Sequence, residues 1–271
     1  MRFTKMHGLG NDFMLVDDMS LGLDAPKELA VKLCARRFGV GADGLILAQP
    51  SDQADARMRV FNRDGSEAEM CGNGIRCLGK FLYDEGICRK PSMTIETLAG
   101  VLRVDIEAAD GTAQRMRVDM GAPRFAPADI PVDAPENVLT LDVGGQTLRF
   151  FCVGMGNPHA VTFDLYPDDD AFARLGPLLE SHPVFPRRAN IEFCRVTGGG
   201  ADVRVWERGD GPTLACGTGA CAVLAAGASQ GFLPRRAGIR LAGGVLDIEW
   251  AADGHLFMSG PAETVYDGEL R

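Results

Sequence analysis

Two cysteines stand on the same kind of corner. Residues 70–77 read MCGNGIRC and residues 215–222 read ACGTGACA, so Cys71 and Cys216 each precede a Gly-x-Gly. Behind Cys71, the residues Ile75, Leu78, Phe81 and Leu82 recur at helical spacing; Cys216 keeps the same place before Ala220, Val223 and Leu224. The spacing predicts that each cysteine opens a helix. A helix start presents unpaired N–H groups and the positive end of the peptide dipoles, which lower a thiol's pKa from about 8.5 towards roughly 3.5–7.5 and hold an anionic group of a ligand. Glycines at 72, 74, 217 and 219 let the backbone come close to such a ligand.

One reaction class suits two such thiols. Inverting a carbon that bears an acidic hydrogen needs a base on one face and an acid on the other, because a single base tends to return the proton to the face it left. A thiolate and a thiol that exchange roles with direction serve both hands of the substrate. The carbanion formed beside a carboxylate places extra negative charge on the carboxylate oxygens, and helix amides are preorganised donors for it. The other six cysteines, Cys34, Cys77, Cys88, Cys152, Cys194 and Cys221, read as small buried hydrophobes. No metal site is expected, since the Cys71–Cys77 and Cys216–Cys221 intervals do not supply the CxxC or close Cys/His spacing zinc prefers.

The elements that must place these cysteines repeat along the chain. Residues 8–11 (GLGN) match 154–157 (GMGN) at an offset of 146; residues 58–74 match 203–219 at 145 with six identities in seventeen; residues 98–111 match 241–254 at 143 with seven in fourteen. Three matches in order at nearly constant spacing indicate duplication. The expected organisation is an N-terminal half over 1–121 with Cys71, a C-terminal half over 122–261 with Cys216 that includes a Pro-rich connector at 122–146, and a tail at 262–271. The expected fold class is α/β (α+β): two pseudo-symmetric halves, each a mixed, antiparallel-rich sheet or barrel around a central helix, with the active site in the cleft between them. Strands are predicted in MRVFNR, SMTIET, VLRVDIEA and TLRFFCV, and helices at about 26–38, near 169–181 and after each Cys-Gly-x-Gly corner.

Composition removes several classes of function. A net charge of −9 without a dense Lys/Arg block argues against a nucleic-acid surface. Only five lysines occur, the last being Lys90, so the second half has no Schiff-base lysine and pyridoxal chemistry is disfavoured. The start MRFTKMHGLGND lacks the apolar run of a signal peptide, which makes a cytoplasmic location the expectation. The uncharged run 214–233 is mostly small residues, too weakly apolar for lipid, and reads as a helix buried in protein; no membrane partner is expected. Residues 39–44 (GVGADG) fit GxGxxG but follow a helix and enter the strand LILAQ, the reverse of a dinucleotide fold, so they read as a turn.

Together the stretches HGLGNDF, FNRDGSEAEMCGNGIRC, GNPHAV, RANIEF and VWERGDGPTLACGTGACAV resemble the diaminopimelate epimerase family and span almost the whole chain. The resemblance implies cofactor-independent interconversion of LL- and meso-diaminopimelate in lysine biosynthesis, with Cys71 and Cys216 as the catalytic pair. It implies substrate contacts at Asn11, Asn62, Gly72, Asn73, Asn157, Asn190, Glu207, Arg208, Gly217 and Thr218, with His159 and Glu207 tuning the cysteine pKa values. It further implies domains that close over a small-molecule substrate and a homodimer contacted by Tyr266. Some relatives carry Gln where this chain has Gly44. Diaminopimelate carries two ammonium and two carboxylate groups, which an anion, a fixed cation and neutral amides would match. Two alternatives remain: a proline or hydroxyproline racemase, which tends to have His where this chain has Asn73, and a non-catalytic binding protein on the same scaffold.

Overall fold

The computed structural model describes residues 1–20 and 22–270. Contacts divide the chain into two compact units, Met1–Asp119 with Ser259–Arg271, and Met120–Met258. In the first unit the order is β1 (Arg2–Gly8), β2 (Asn11–Asp17), α1 (Pro26–Cys34), β3 (Gly44–Gln49), β4 (Ala56–Asn62), β5 (Glu67–Ala68), α2 (Gly72–Asp84), β6 (Ser92–Thr97), β7 (Gly100–Ala109) and β8 (Thr112–Asp119). The second unit holds β9 (Val138–Val143), β10 (Gln146–Gly154), β11 (Pro158–Thr162), α3 (Asp169–Glu180), β12 (Asn190–Thr197), β13 (Gly200–Glu207), β14 (Gly211–Pro212), α4 (Gly217–Ser229), β15 (Arg236–Leu241) and β16 (Gly244–Trp250). Strand β17 (Leu256–Gly260) then returns the chain to the first unit, where β18 (Glu263–Glu269) pairs antiparallel with β1.

Strand pairing repeats the duplication seen in the sequence. In the first unit β1–β2 is antiparallel, β2–β3 parallel, β3–β4 antiparallel, β4–β6 parallel and β6–β7 antiparallel, with β5 added to β4. In the second, β10–β11, β11–β12, β12–β13, β13–β15 and β15–β16 follow the same alternation, with β14 added to β13. Each unit is therefore a mixed sheet, and each wraps one buried helix. Helix α2 packs on β1, β2, β3, β4, β7 and β8, and α4 on β10, β11, β12, β15 and β16.

The central helices have almost no solvent face, so α4 is built of small apolar residues and α2 buries even its polar side chains Asn73, Arg76 and Lys80. All residues of α2 from Gly72 to Leu82 are buried, as are Ala220 to Gly227 of α4. Small residues let α4 sit close to its surroundings: a Cβ on Gly227 would lie 2.6 Å from Leu233 Cδ1. Both helices end alike, with Gly86 and Gly231 just beyond them at φ 76°, the left-handed conformation glycine adopts without steric cost. Their amides bond back to Tyr83 O and Ala228 O. Among the described residues no helix is long and apolar enough to cross a membrane.

Three expectations are adjusted. Helix α1 stops at Cys34 rather than near residue 38, because Ala35 turns extended and the amides of Val40 and Gly41 fold back onto Leu33 O, closing the helix early. The 122–146 connector contains a strand of its own, β9, whose alternating burial matches its hairpin with β10. The residues expected only as a tail outside the repeat form β18, paired with β1 in the first unit. The buried helices carry the stability of their units. Leu78→Ala, which empties a fully buried site in α2, is expected to cost about 2–5 kcal/mol, whereas Phe38→Ser, at a side chain 95% exposed, should stay within about 0.5 kcal/mol. Urea unfolding of the two variants checks this.

Candidate active site

Cys71 is the N-cap of α2 and Cys216 the N-cap of α4, both in extended backbone conformation. Each sulfur accepts a hydrogen bond from the amide three residues on, Gly74 N at 3.4 Å and Gly219 N at 3.3 Å. This is the capping a serine would provide at a helix start, performed by sulfur. Glycine at the third position lets both helices lie close to the strand beneath. A Cβ on Gly74 would lie 2.9 Å from Ile46 Cδ1, and one on Gly219 would lie 2.7 Å from Glu192 Oε1 and 3.2 Å from Cys216 Sγ.

In the first unit a hydrogen-bonded chain supports Cys71. Its sulfur lies 3.8 Å from Asn11 Oδ1, which also accepts from Asn73 Nδ2 at 3.2 Å. Asn11 Nδ2 donates to Asp43 at 3.0 Å, and Asp43 is held by Arg36 at 2.7 Å. Asp12, beside them, pairs with Lys5 at 2.5 Å and Arg36 at 3.2 Å. Burial pushes the Asp12 carboxyl up, but hydrogen bonds with Lys5 and Asp43 and the charges of Lys5 and Arg36 outweigh it and hold the group below the usual carboxylate range. Arg76, wholly buried, donates to Gly72 O at 2.9 Å, Asn73 Oδ1 at 3.0 Å and Pro261 O at 3.2 Å. It therefore fixes the first turn of α2. Asn62 ends β4 exposed, its amide on Ser66 Oγ at 3.0 Å. Gly44 opens β3 where a Cβ would lie 2.8 Å from Phe61 O, so any contact at this position comes from backbone.

In the second unit the expected residues converge more tightly. Thr218 Oγ1 lies 3.5 Å from Cys216 Sγ and accepts from Asn157 Nδ2 at 3.3 Å. His159 lies between Asn157 Oδ1, 2.9 Å from Nε2, and Glu192 Oε1, 2.6 Å from Nδ1. Asn190 donates to Pro158 O and accepts from the amide of Arg208, both at 2.9 Å, which anchors the end of β13 where Glu207 and Arg208 stand. Arg208 is exposed and reaches Arg187 O at 3.4 Å. Glu207 accepts a short hydrogen bond from Thr213. Burial raises the Glu207 carboxyl above its ordinary range, and that bond only partly offsets it.

For Cys216 the direction is opposite to the one its helix position implies. Its thiol is pushed well above the ordinary value, first by burial, then by the negative charges of Glu207 and Glu192; the Thr218 and Gly219 hydrogen bonds work the other way but are weaker. Sequence reading located the helix start and missed how deeply the sulfur is buried. It also passed over Asp12, Asp43, Arg36, Arg76 and Glu192, although Arg76 and Glu192 lie inside the quoted motifs MCGNGIRC and RANIEF. A charged residue in the apolar stripe of a helix or strand was the available signal.

The chain belongs to the diaminopimelate epimerase family: the family model described as diaminopimelate epimerase matches residues 3–126 and 151–265. It is thus an isomerase, an epimerase by family. It is similar to diaminopimelate epimerase of Desulforudis audaxviator, 53% identical over 99% of each chain, and to that of Methanococcus maripaludis, 48% identical over 100% of this chain and 99% of the relative. Among solved structures, a PhzF-family phenazine biosynthesis protein of Bacillus anthracis shares the fold with a TM-score of 0.72 at 19% identity, covering 100% of this chain and 99% of that one. A probable proline racemase of Agrobacterium radiobacter does so with a TM-score of 0.72 at 17% identity, covering 100% and 92%.

Buried thiols set a pH limit on the fold. Burial raises Cys34 to about 11 and Cys77 and Cys152 to about 12, from an ordinary value of 9.0. Above pH 9 the unfolded chain releases these protons while the folded chain keeps them. Stability is therefore fully present below that pH and falls as pH rises towards 11–12, by about 1.4 kcal/mol per pH unit for each thiol. Urea unfolding under reducing conditions between pH 8 and 11 checks the slope; a flat profile would contradict it.

Proposed function

We propose that this enzyme epimerises LL-2,6-diaminopimelate to the meso isomer without a cofactor, Cys71 and Cys216 acting on one α-carbon as base and acid. The observation that carries the reading is the repetition of one device: a cysteine capping a buried helix, its sulfur bonded to the third amide, at equivalent places in both units. The two-base reaction needs two such groups. One removes the α-proton as a thiolate and leaves as a thiol, the other delivers a proton as a thiol and leaves as a thiolate. Net protonation is conserved, so the reverse direction is equally served. Burial and the neighbouring Glu207 and Glu192 raise the Cys216 thiol, which suits it to deliver a proton.

The substrate's charges find counterparts in the same residues. The amides of Gly72 and Asn73, and of Gly217 and Thr218, lie at helix starts where a carboxylate binds and where charge grows as the α-proton leaves. Glu207 and Arg208 suit the distal ammonium and carboxylate, and Asn11, Asn62, Asn157 and Asn190 provide neutral hydrogen-bonding groups. Closure of the two units over the substrate belongs to the same proposal. The product serves lysine and peptidoglycan-precursor synthesis in the cytoplasm. A homodimer through β18 is part of the reading: Val265 and Tyr266 are exposed there, 55% and 44%, on a strand whose ladder partner is β1.

The fold shared with a probable proline racemase makes proline the competing substrate, and Asn73 after Cys71-Gly72 speaks against it. Deuterium wash-in from D₂O into diaminopimelate is expected, and exchange into proline alone would sink the assignment. Cys71→Ser and Cys216→Ser are each expected to lose epimerisation by at least roughly 10²-fold while still binding diaminopimelate. Full turnover by either variant, read by chiral product analysis, excludes the two-base mechanism. Tyr266→Glu should shift the protein from dimer to monomer in analytical ultracentrifugation, and an unchanged sedimentation coefficient counts against that interface.

A further inference from the structure

The two units share one topology, yet one pair of positions differs in kind. In the first, β2 and β3 set Phe13 beside Gly44 and Leu15 beside Ile46; in the second, β11 and β12 set His159 beside Asn190 and Val161 beside Glu192. By strand order and register His159 takes the place of Phe13, and Glu192 that of Ile46. Ile46 and Glu192 also make the same approach, each lying against the third residue of its buried helix, Gly74 or Gly219. Phe13 and Ile46 are buried hydrocarbon, whereas His159 and Glu192 are ionisable and 0% exposed. Replacing a buried ionic pair by apolar residues of similar volume is often neutral or stabilising, and this fold already uses the apolar version in its other unit. The fold therefore carries an apolar precedent for this pair of positions.

Its hydrogen bonds point to a role. Both ring nitrogens of His159 face oxygens, Glu192 Oε1 and Asn157 Oδ1. A neutral imidazole has one N–H, so a ring between two acceptors requires a second N–H, or a carboxyl that brings its own proton. With Asn157 Oδ1 facing Nε2, the hydrogen of that bond belongs to the ring. Glu192 Oε2 is buried without a hydrogen-bond partner, a position that a proton-bearing or charge-paired carboxyl tolerates better than an isolated carboxylate. The Nε2 hydrogen donated to Asn157 Oδ1 leaves Asn157 Nδ2 to donate to Thr218 Oγ1, which stands beside Cys216 Sγ.

We propose that Glu192 is a positioning residue: through His159 and Asn157 it orients the Thr218 hydroxyl and the Cys216 sulfur at the start of α4. The proposal rests on the reading of Cys216 as a catalytic thiol. The titratable groups facing this chain are Glu207 on β13, Cys152 on β10, Cys194 on β12 and Cys216 itself. Glu192 raises all three thiols, and Glu207 raises Cys216.

Three variants of the full-length protein test it. In Glu192→Gln the amide donates to Nδ1, so Nε2 keeps its hydrogen and most of kcat is expected to survive. In Glu192→Ile the ring loses that partner, and kcat should fall roughly 10²-fold, the effect of a misplaced catalytic group, with KM changed much less. The double variant His159→Phe/Glu192→Ile copies the apolar pair of the first unit and should fold with an undiminished unfolding midpoint yet lack turnover. Two measurements on substrate-free protein stand apart from the choice of substrate. Nitrogen-15 NMR of the wild type should show His159 Nε2 protonated. In a Cys71→Ser background, the Cys216 thiol titration of Glu192→Gln should stay close to that of its parent while that of Glu192→Ile moves, because only the amide keeps the hydrogen bond on Nδ1 that orients the line to Thr218. A bare Nε2 with the hydrogen on Nδ1, or wild-type kcat in Glu192→Ile, overturns the proposal. Wild-type protein that is inert toward diaminopimelate but shows the expected nitrogen signature overturns the substrate reading alone.

Discussion

The first turn of each buried helix lies close to the strand beneath it, with glycine at its third position. Ile46 under Gly74 and Glu192 under Gly219 occupy the space a Cβ would need. This contact fixes how far each helix start is drawn into its sheet, and therefore where the capping cysteine stands. With the third amide turned onto the cysteine side chain, the earlier amides of Gly72 and Asn73, or Gly217 and Thr218, remain at the positive end of the helix, where a carboxylate is favoured.

The supports beneath the two cysteines are different although the sheets are alike. Under Cys71 the polar chain runs through Asn11 to Asp43 and Arg36, with Lys5 and Asp12 beside it, and Arg76 braces the helix start. Under Cys216 it runs through Thr218 and Asn157 to His159 and Glu192, with no solvent at its inner end. Cys216 is also the more deeply buried sulfur and faces two carboxylates. Duplication supplied one scaffold, and divergence gave its two thiols unequal surroundings.

Much of this was legible in the sequence for a definite reason. Apolar spacing after Cys71 and Cys216 has the helical period, and the Gly-x-Gly corner marks a backbone that must pass close to something; both signals are local. The repeat at offsets near 145 also survives in linear order, and the strand pairings of the two units reproduce it. Helix α1 was harder to bound, since its last turn is closed by Val40 and Gly41 amides folding back on Leu33 O rather than by a strong stop at Ala35. Arg76 reads as a solvated helix residue until its carbonyl partners are known, among them Pro261 O, 185 residues away.

The sequence by itself determined that the chain is duplicated, that each half carries a cysteine at a helix start, and that the halves are mixed α/β. Those properties follow from composition and spacing within a few residues. Tertiary structure alone decided the electrostatics: the upward shift at Cys216, the downward shift at Asp12 and the hydrogen-bonded line from Glu192 through His159 to Asn157 depend on burial and on neighbours brought from distant strands. Electrostatic energies are set by distance and solvent exclusion in three dimensions, and neither quantity is written in linear order.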